Sequence, residues 1–521
     1  MAQATPPQKP QSPWQEISQP FIDLWHAPRA LWGINLAYFL EGWVYFGMLG
    51  YLAMYFSDLV FQGDPHADIN SHHMVLVLTA GITISMFFFG GLADKWGIRR
   101  TLLIAFVFLL AGRVVISAAP LVSSAPGMWG TWHLLTMAGI VVVVLGYGLY
   151  QPAAYAGVRK FTTGATAAMG YAMLYALMNL GGWLPSFFSD VRQSIGITGA
   201  FWVYTGLTLV ALLATFFILT RKVEEKAAAA AEAARAEEKK AAGQAAAAPT
   251  AAGDVPGASV DVDASIPAHM WVTLAAIAGC VAFLPSHIAQ WTWAGLGAVF
   301  VAVVAIPGWR TPTRVWLANH PLANSKFFFF IFALIPVQTL FTYNWLILPQ
   351  YLERAFEGGV VSERFEIFSN MNPILIFFAV PIVTALTQKQ KIYNMMIIGT
   401  LVMAAPAFLL AVGTNLYTLL GYLLVMTIGE AMWQPRFLQY AAEIAPEGRT
   451  GAYMGVAQFP WFLTKVVVPL YSGIMLTKYV PAEGPRDPQT MWLYFAIIAM
   501  VSPVLLVLFR GWVGELKERS E

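Results

Sequence analysis

Charge is what this sequence has least of. Asp, Glu, Lys and Arg make up 11% of its 521 residues, where a soluble chain carries about 25%. So few charges cannot clothe a water-facing surface of this size. Basic and acidic side chains nearly cancel, 30 against 28, so net charge says little and the placement of charge carries the information; no nucleic-acid surface is expected. The single cysteine, Cys280, excludes internal disulfides and any multi-cysteine metal site. Eight histidines are scattered; only His72 and His73 adjoin, and they read as an exposed pair near a membrane surface rather than a ligand set. No phosphate-binding glycine loop and no catalytic triad occur, so no cofactor, no metal and no enzymatic activity are expected. The first thirty residues lack the short apolar core and small-residue cleavage site of a signal peptide. Within them Trp14, Ile17, Phe21, Leu24 and Trp25 are able to lie along a membrane interface; a plain tail is the alternative.

What the sequence has in excess is apolar length. Hydrophobic residues make up 58% of the chain, and mean hydropathy is +0.62. They come in long runs, and a bilayer needs about 20 apolar residues per helix. Spans are expected near 31–56, 74–94, 101–119, 133–157, 166–188 and 199–220, and again near 326–350, 366–387, 391–412, 416–441, 450–476 and 490–512. Two further stretches, 268–285 and 288–307, lie between the sets. The expected architecture is therefore an all-α integral membrane protein, two six-helix bundles plus an extra central pair, fourteen spans in all.

Lys and Arg orient it. With both termini inside, 22 of the 30 fall in cytoplasmic segments and five in outer loops (Arg192, Arg354, Arg364, Lys478, Arg486), while Arg113, Arg436 and Lys465 fall inside spans. Shifting the chain by one span inverts this bias. The expected divisions are a cytoplasmic tail 1–30, a bundle 31–220, a low-complexity linker 221–267, the extra hairpin 268–307, a connection 308–325, a second bundle 326–512 and a tail 513–521. The first half of the linker, "VEEKAAAAAEAARAEEKKAAG", is a good isolated helix former.

The loop between the second and third spans, "GGLADKWGIRRTLL" (90–103), resembles the signature loop of the major facilitator superfamily. Gly97 permits a tight two-helix turn. Asp94 stands at a helix end, where it can accept from a facing helix N-terminus, and Lys95, Arg99 and Arg100 keep the loop inside. The resemblance implies a gating contact between the two halves, carried by Asp94, Gly97, Arg99 and Arg100.

Five further stretches resemble the proton-dependent oligopeptide transporter (POT) family: "LEGWVYFGM" (40–48), "GYGLYQPAAYAG" (146–157), "LYALMNLGG" (174–182), "NMNPILIFFAVPI" (370–382) and "GEAMWQPRFLQYAAEIAPEGRTGAYMG" (429–455). The resemblance implies that Glu430 binds a substrate amine and that Asn179, Asn372 and Trp461 line the same cavity. Departures matter as much. Gly42 and Gln151 stand where that family has basic residues, Tyr38 replaces an outer Glu, and Pro336 stands near the place of a seventh-span carboxylate.

Ionisable residues inside a membrane mark functional sites. Glu430 lies about 21 Å along its span from Leu416, at 1.5 Å per residue, well inside a core of about 30 Å. Lys465, midway along the next span, is either its counter-ion or a free cation lining the cavity and attracting an anionic group. Glu41 is expected to face the cavity, with helix-to-helix pairing as the alternative. Arg113 reads as a structural inter-helix donor, and Arg436 as snorkelling. Tyr45, Tyr150, Tyr175, Tyr343 and Trp433 either shape a pocket or simply pack. The residues expected to bind substrate are Glu430, Asn179, Asn372, Trp461, Glu41, Tyr45, Gln151 and Lys465, with Glu41 and Glu430 the carboxylates able to couple a proton.

The expected activity is secondary transport of a small peptide-like or amine-bearing solute by alternating access, with protons as a candidate second cargo. The partners are that solute and membrane lipid; the chain is expected to be a monomer in a bacterial inner membrane. Two alternatives stay open: a diverged exporter or uniporter, and a non-transporting receptor or scaffold.

Overall fold

The computed structural model describes residues 28–89, 92, 96–162, 164–245, 265–280, 286–356, 358–387, 390–444, 453, 456–457 and 459–513. Every described element is helical, and eight described helical stretches are long and apolar enough to cross a membrane. The sequence dictates this directly. Its apolar runs are far too long for strands, and a segment hydrophobic all round must be buried in protein or lipid.

The first half contains α1 (Arg29–Met54), α2 (Ala67–Phe89), α3 (Ile98–Val122), α4 (Thr131–Phe161), α5 (Gly164–Trp183) and α6 (Ser189–Ile218). Small residues let their backbones approach. A Cβ on Gly112 of α3 would stand 2.6 Å from the Gly139 carbonyl of α4. Within α6 the helix breaks at Gly196, whose φ of +70° is left-handed; the short piece before it carries Ser189, Asp190 and Arg192 at one end of the bundle. After α6 the chain breaks briefly and continues as α7 (Arg221–Ala245), the helix expected in the first half of the linker.

Then come α8 (Ala268–Cys280), α9 (Ser286–Ala305) and α10 (Pro307–Ala318). On α8 and α9, Trp271, Val272, Phe300 and Val301 are each more than half exposed, an open apolar surface rather than a core.

The second half begins with a broken span: α11 (Ser325–Ala333), α12 (Ile335–Leu346) and α13 (Leu348–Ala355). The breaks fall beside Pro336 and Pro349, which remove backbone donors. It continues through the short turns Val360–Glu363 and Phe365–Ser369 to α14 (Met371–Thr387), α15 (Ile392–Ala404), α16 (Ala407–Val412), α17 (Leu416–Ile444), α18 (Phe459–Tyr479) and α19 (Pro488–Leu508). The halves meet where α2 packs on α18 and α5 on α14.

Candidate functional site

A cavity lies between the halves. Tyr38, Glu41, Gly42 and Tyr45 reach it from α1, Thr79, Ile82 and Thr83 from α2, Tyr147, Tyr150 and Gln151 from α4, and Met178 from α5. Trp461, Phe462 and Lys465 close it from α18. It holds some 520 Å³ of atom-free space, counting its open mouth.

Glu41 is not a free acceptor. Arg113 of α3, itself 2% exposed, grips it with both terminal nitrogens, one bond to Oε2 being 2.8 Å. Tyr147 donates its hydroxyl to the same carboxylate. Arg113 also donates to Thr208 of α6 at 2.7 Å and to Tyr147 at 2.9 Å. One ion pair thus ties α1, α3, α4 and α6 together at the cavity wall. The inter-helix role read for Arg113 is what the structure shows; its partner could not be read.

Lys465 differs. Its side chain is 8% exposed, yet among the described contacts its ammonium forms no ion pair with Glu430 or any other carboxylate. It sits 3.6 Å from the centre of the Trp461 ring and 5.9 Å from that of Tyr45, a cation–π arrangement. Its backbone is held too. Pro469, four residues on, has no N–H to give the Lys465 carbonyl, and the Thr79 hydroxyl of α2 takes its place at 3.0 Å. The counter-ion reading of Lys465 therefore gives way to the free-cation reading.

Glu430, Asn372 and Asn179 are not among the cavity's lining residues. Glu430 is 2% exposed and accepts from the Asn372 amide at 2.8 Å; that amide also donates to Thr427 at 3.0 Å. The carboxyl thus sits in a small polar cluster between α14 and α17. Asn179, on α5, is partly buried. Of the aromatics, Tyr45 and Tyr150 line the cavity. Tyr343 instead shares a hydrogen bond with Tyr471, and Trp433 donates to the Met403 sulfur at 3.1 Å. The Tyr175 side chain lies outside what the structure describes.

Sequence reasoning missed the belt that closes one end. Asp68 of α2 accepts a fork from Arg354 of α13 at 2.7 and 2.8 Å. Glu366 accepts from Tyr51, Ser189 and Arg192, and Arg364 meets Asp190 at 3.0 Å. His72 bonds Gln350 at 3.0 Å and also Ser472. His72 is fully buried, which corrects the exposed-pair reading: it packs across the seam between halves. These groups come from the segments the charge bias assigns to the outer face. The only prior signal was that so few charges were placed there, each therefore costly to leave unpaired.

At the opposite end, Asp94 lies outside the described residues. Gly97 has a φ of +84°, the left-handed turn expected of it. Arg99 lies over the Phe216 ring at 5.1 Å, and Arg100 is exposed. The first N–H of α3, on Ile98, is capped by Glu224 of α7 at 3.2 Å, and Lys160 meets the same carboxylate at 3.1 Å. Arg436 does not snorkel. It is 8% exposed and donates to the Thr387 carbonyl at the end of α14 at 2.6 Å, beside the Gln390 N–H that the same carbonyl accepts at 2.9 Å.

Comparison with known proteins agrees with this architecture. The Major Facilitator Superfamily profile matches residues 66–459. An uncharacterised MFS-type transporter of Bacillus subtilis (strain 168), YttB, is 23% identical over 209 residues, 39% of this chain and 50% of its own, so the match spans about half of that relative. A crystal structure of the peptide transporter POT with sulfate superposes at TM-score 0.60 and 18% identity, covering 97% of this chain and 99% of that one. A POT family transporter with 5-aminolevulinic acid gives 0.61 at 15% identity over 94% and 97% of the two chains. The POT family transporter PepTSo gives 0.61 at 16%, over 93% and 98%. At such identities the likeness is one of fold. With a profile matching most of its length and an all-helical fold in two halves about a cavity, the chain belongs to the Major Facilitator Superfamily.

Proposed function

We propose that this chain is a secondary transporter that carries a small, peptide-like organic solute by alternating access, with both termini cytoplasmic. The observation that carries this reading is the cavity between the halves, lying to the inner side of a belt of inter-half ion pairs, of which Asp68–Arg354 is buried and Arg192–Glu366 largely so. A solute in such a cavity is shut off from one face, and breaking Asp68–Arg354 and Arg192–Glu366 would expose it to that face. That is the geometry alternating access requires.

Where protons are coupled, Glu430 is the carboxylate that carries them. Glu41 is saturated by Arg113 and Tyr147, so protonating it breaks an ion pair. Among the described residues Glu430 has only an amide donor beside it and can load and release a proton without that loss. The test is uptake into proteoliposomes with and without an imposed pH gradient. Glu430→Gln should fold and bind solute but lose gradient-driven accumulation. Accumulation that survives in Glu430→Gln would overturn the assignment.

A further inference from the structure

We propose that the cavity selects its solute as an anion: an organic carboxylate on an apolar, aromatic-sized body, with the charge set against Lys465 and no amine required. This rests on the transport reading above and names what the site recognises.

The argument begins with charge. Among the described residues, three side chains that carry charge stand at or directly behind the cavity wall: Glu41, Arg113 and Lys465. The first two cancel. Arg113 makes a two-point contact with Glu41 and Tyr147 adds a third donor. A substrate ammonium seeking Glu41 would have to displace donors already in ideal positions. What remains is one positive charge, on Lys465. It is 8% exposed, and among the described contacts its ammonium has no ion pair and donates no hydrogen bond. The Trp461 and Tyr45 rings below it return only part of the hydration that burial removes. A neutral solute leaves that charge uncompensated inside the membrane, and a zwitterion that pairs with it leaves its own ammonium unpaired, because Glu41 is already taken. A monoanion cancels the Lys465 charge.

A second donor waits in the same wall. Tyr150 lines the cavity and is 3% exposed, and its hydroxyl has no hydrogen-bond partner among the described groups. A buried hydroxyl left unpaired is costly, and a carboxylate has lone pairs enough to take both it and Lys465. The rest of the wall, Tyr45, Ile82, Met178, Trp461 and Phe462, is a surface for an apolar or aromatic body. No described carboxylate other than Glu41 lines the cavity. Glu430, the acceptor an amine would need, sits in its own cluster with Asn372 and Thr427.

The position of Lys465 is also built rather than incidental. The Thr79 hydroxyl bonds its carbonyl because Pro469 cannot, so the backbone that carries the side chain is held by both halves at once. An anion at Lys465 therefore contacts the point where α2 and α18 meet.

The experiment uses three probes with one ring and different charge: N-acetylphenylalanine (anion), phenylalanine (zwitterion) and phenylalanine methyl ester (cation). Binding to the purified full-length protein is measured by calorimetry at pH 7. The anion should bind at least about tenfold more tightly than either other probe. Lys465→Met should lower anion affinity about tenfold or more, with Lys465→Arg retaining most of it; a thermal melt of each variant shows whether it is folded. Equal or tighter binding of the zwitterion or cation overturns the proposal. So does anion preference that persists in folded Lys465→Met, or no binding of any probe to wild type. Because binding is read without transport, the two readings fail separately. Anion binding without proteoliposome uptake sinks the transport reading alone, whereas uptake of zwitterions at matched affinity sinks only this one.

Discussion

Glu41 and Arg113 show what a single buried pair does in a protein with so few charges. Each is 2% exposed, so each depends on the other for its solvation. Removing one partner of a buried pair costs roughly 3–5 kcal/mol, because the survivor is left charged and unpaired. Arg113→Ala should therefore lower the thermal unfolding temperature sharply in detergent. The double variant Glu41→Ala with Arg113→Ala should lose less than the sum of the two single losses. Additive losses in that cycle would mean the pair does not interact as drawn. Sequence could flag both residues, since a charge in an apolar run is conspicuous. It could not join them, because they lie 72 positions apart and on helices whose rotation only packing sets.

At the level of the helices, the contact of α2 with α18 is the seam on which the halves close. A Cβ on Gly473 of α18 would come within 2.7 Å of the Asp68 carbonyl and of the Ile69 Cα, both backbone atoms that cannot swing aside. Gly473→Ala should accordingly wedge the seam and bias the molecule toward an outer end that is open. Spin labels at His66 and Glu483, both exposed, in a Cys280→Ala background would report a longer distance across the outer rim. An unchanged distance distribution would show that the seam tolerates the methyl group. Here the sequence was partly legible: the existence of α2 and α18 follows from apolar length, whereas α2 starts at Ala67 rather than 74 and α18 at Phe459 rather than 450. Which glycine faces which backbone does not follow, since a helix's sequence fixes its apolar character but not its neighbour.

For the whole molecule, the outer closure should respond to pH through Glu353. It lies on α13, past the apolar span that ends at Leu346, half-buried near Asp58, Arg192, Arg354 and Glu366. Burial and the neighbouring Asp58 carboxylate push it up to about 7, while the Arg192 and Arg354 cations oppose the shift. The closed end holds this proton more tightly than an open, hydrated end would. Its contribution to closure is therefore fully present below about pH 4.5 and is lost as pH rises from there through about 7. The same spin-label distance should lengthen between about pH 4.5 and pH 7.5 in wild type and stay constant in Glu353→Gln. A wild-type distance that does not move over this range, or a shift that persists in the variant, contradicts the assignment.

By itself the sequence determined the solvent, the helical class, the two sets of spans and the superfamily loop. Each of these is local: an apolar run of about 20 residues, a biased distribution of Lys and Arg, a glycine where the chain must turn. It also marked the residues that matter, because ionisable groups are scarce in such a chain and each one inside it stands out. Only the tertiary structure decided what each of them holds. It set Arg113 on Glu41, Asn372 on Glu430 and Trp461 beneath Lys465. It closed the outer end with pairs separated by 286 and 174 positions, Asp68 with Arg354 and Arg192 with Glu366. Partner choice depends on how helices rotate and dock, and docking is governed by the fit of backbones at glycines and of side chains at seams. Those are properties of two surfaces together, which neither segment carries alone.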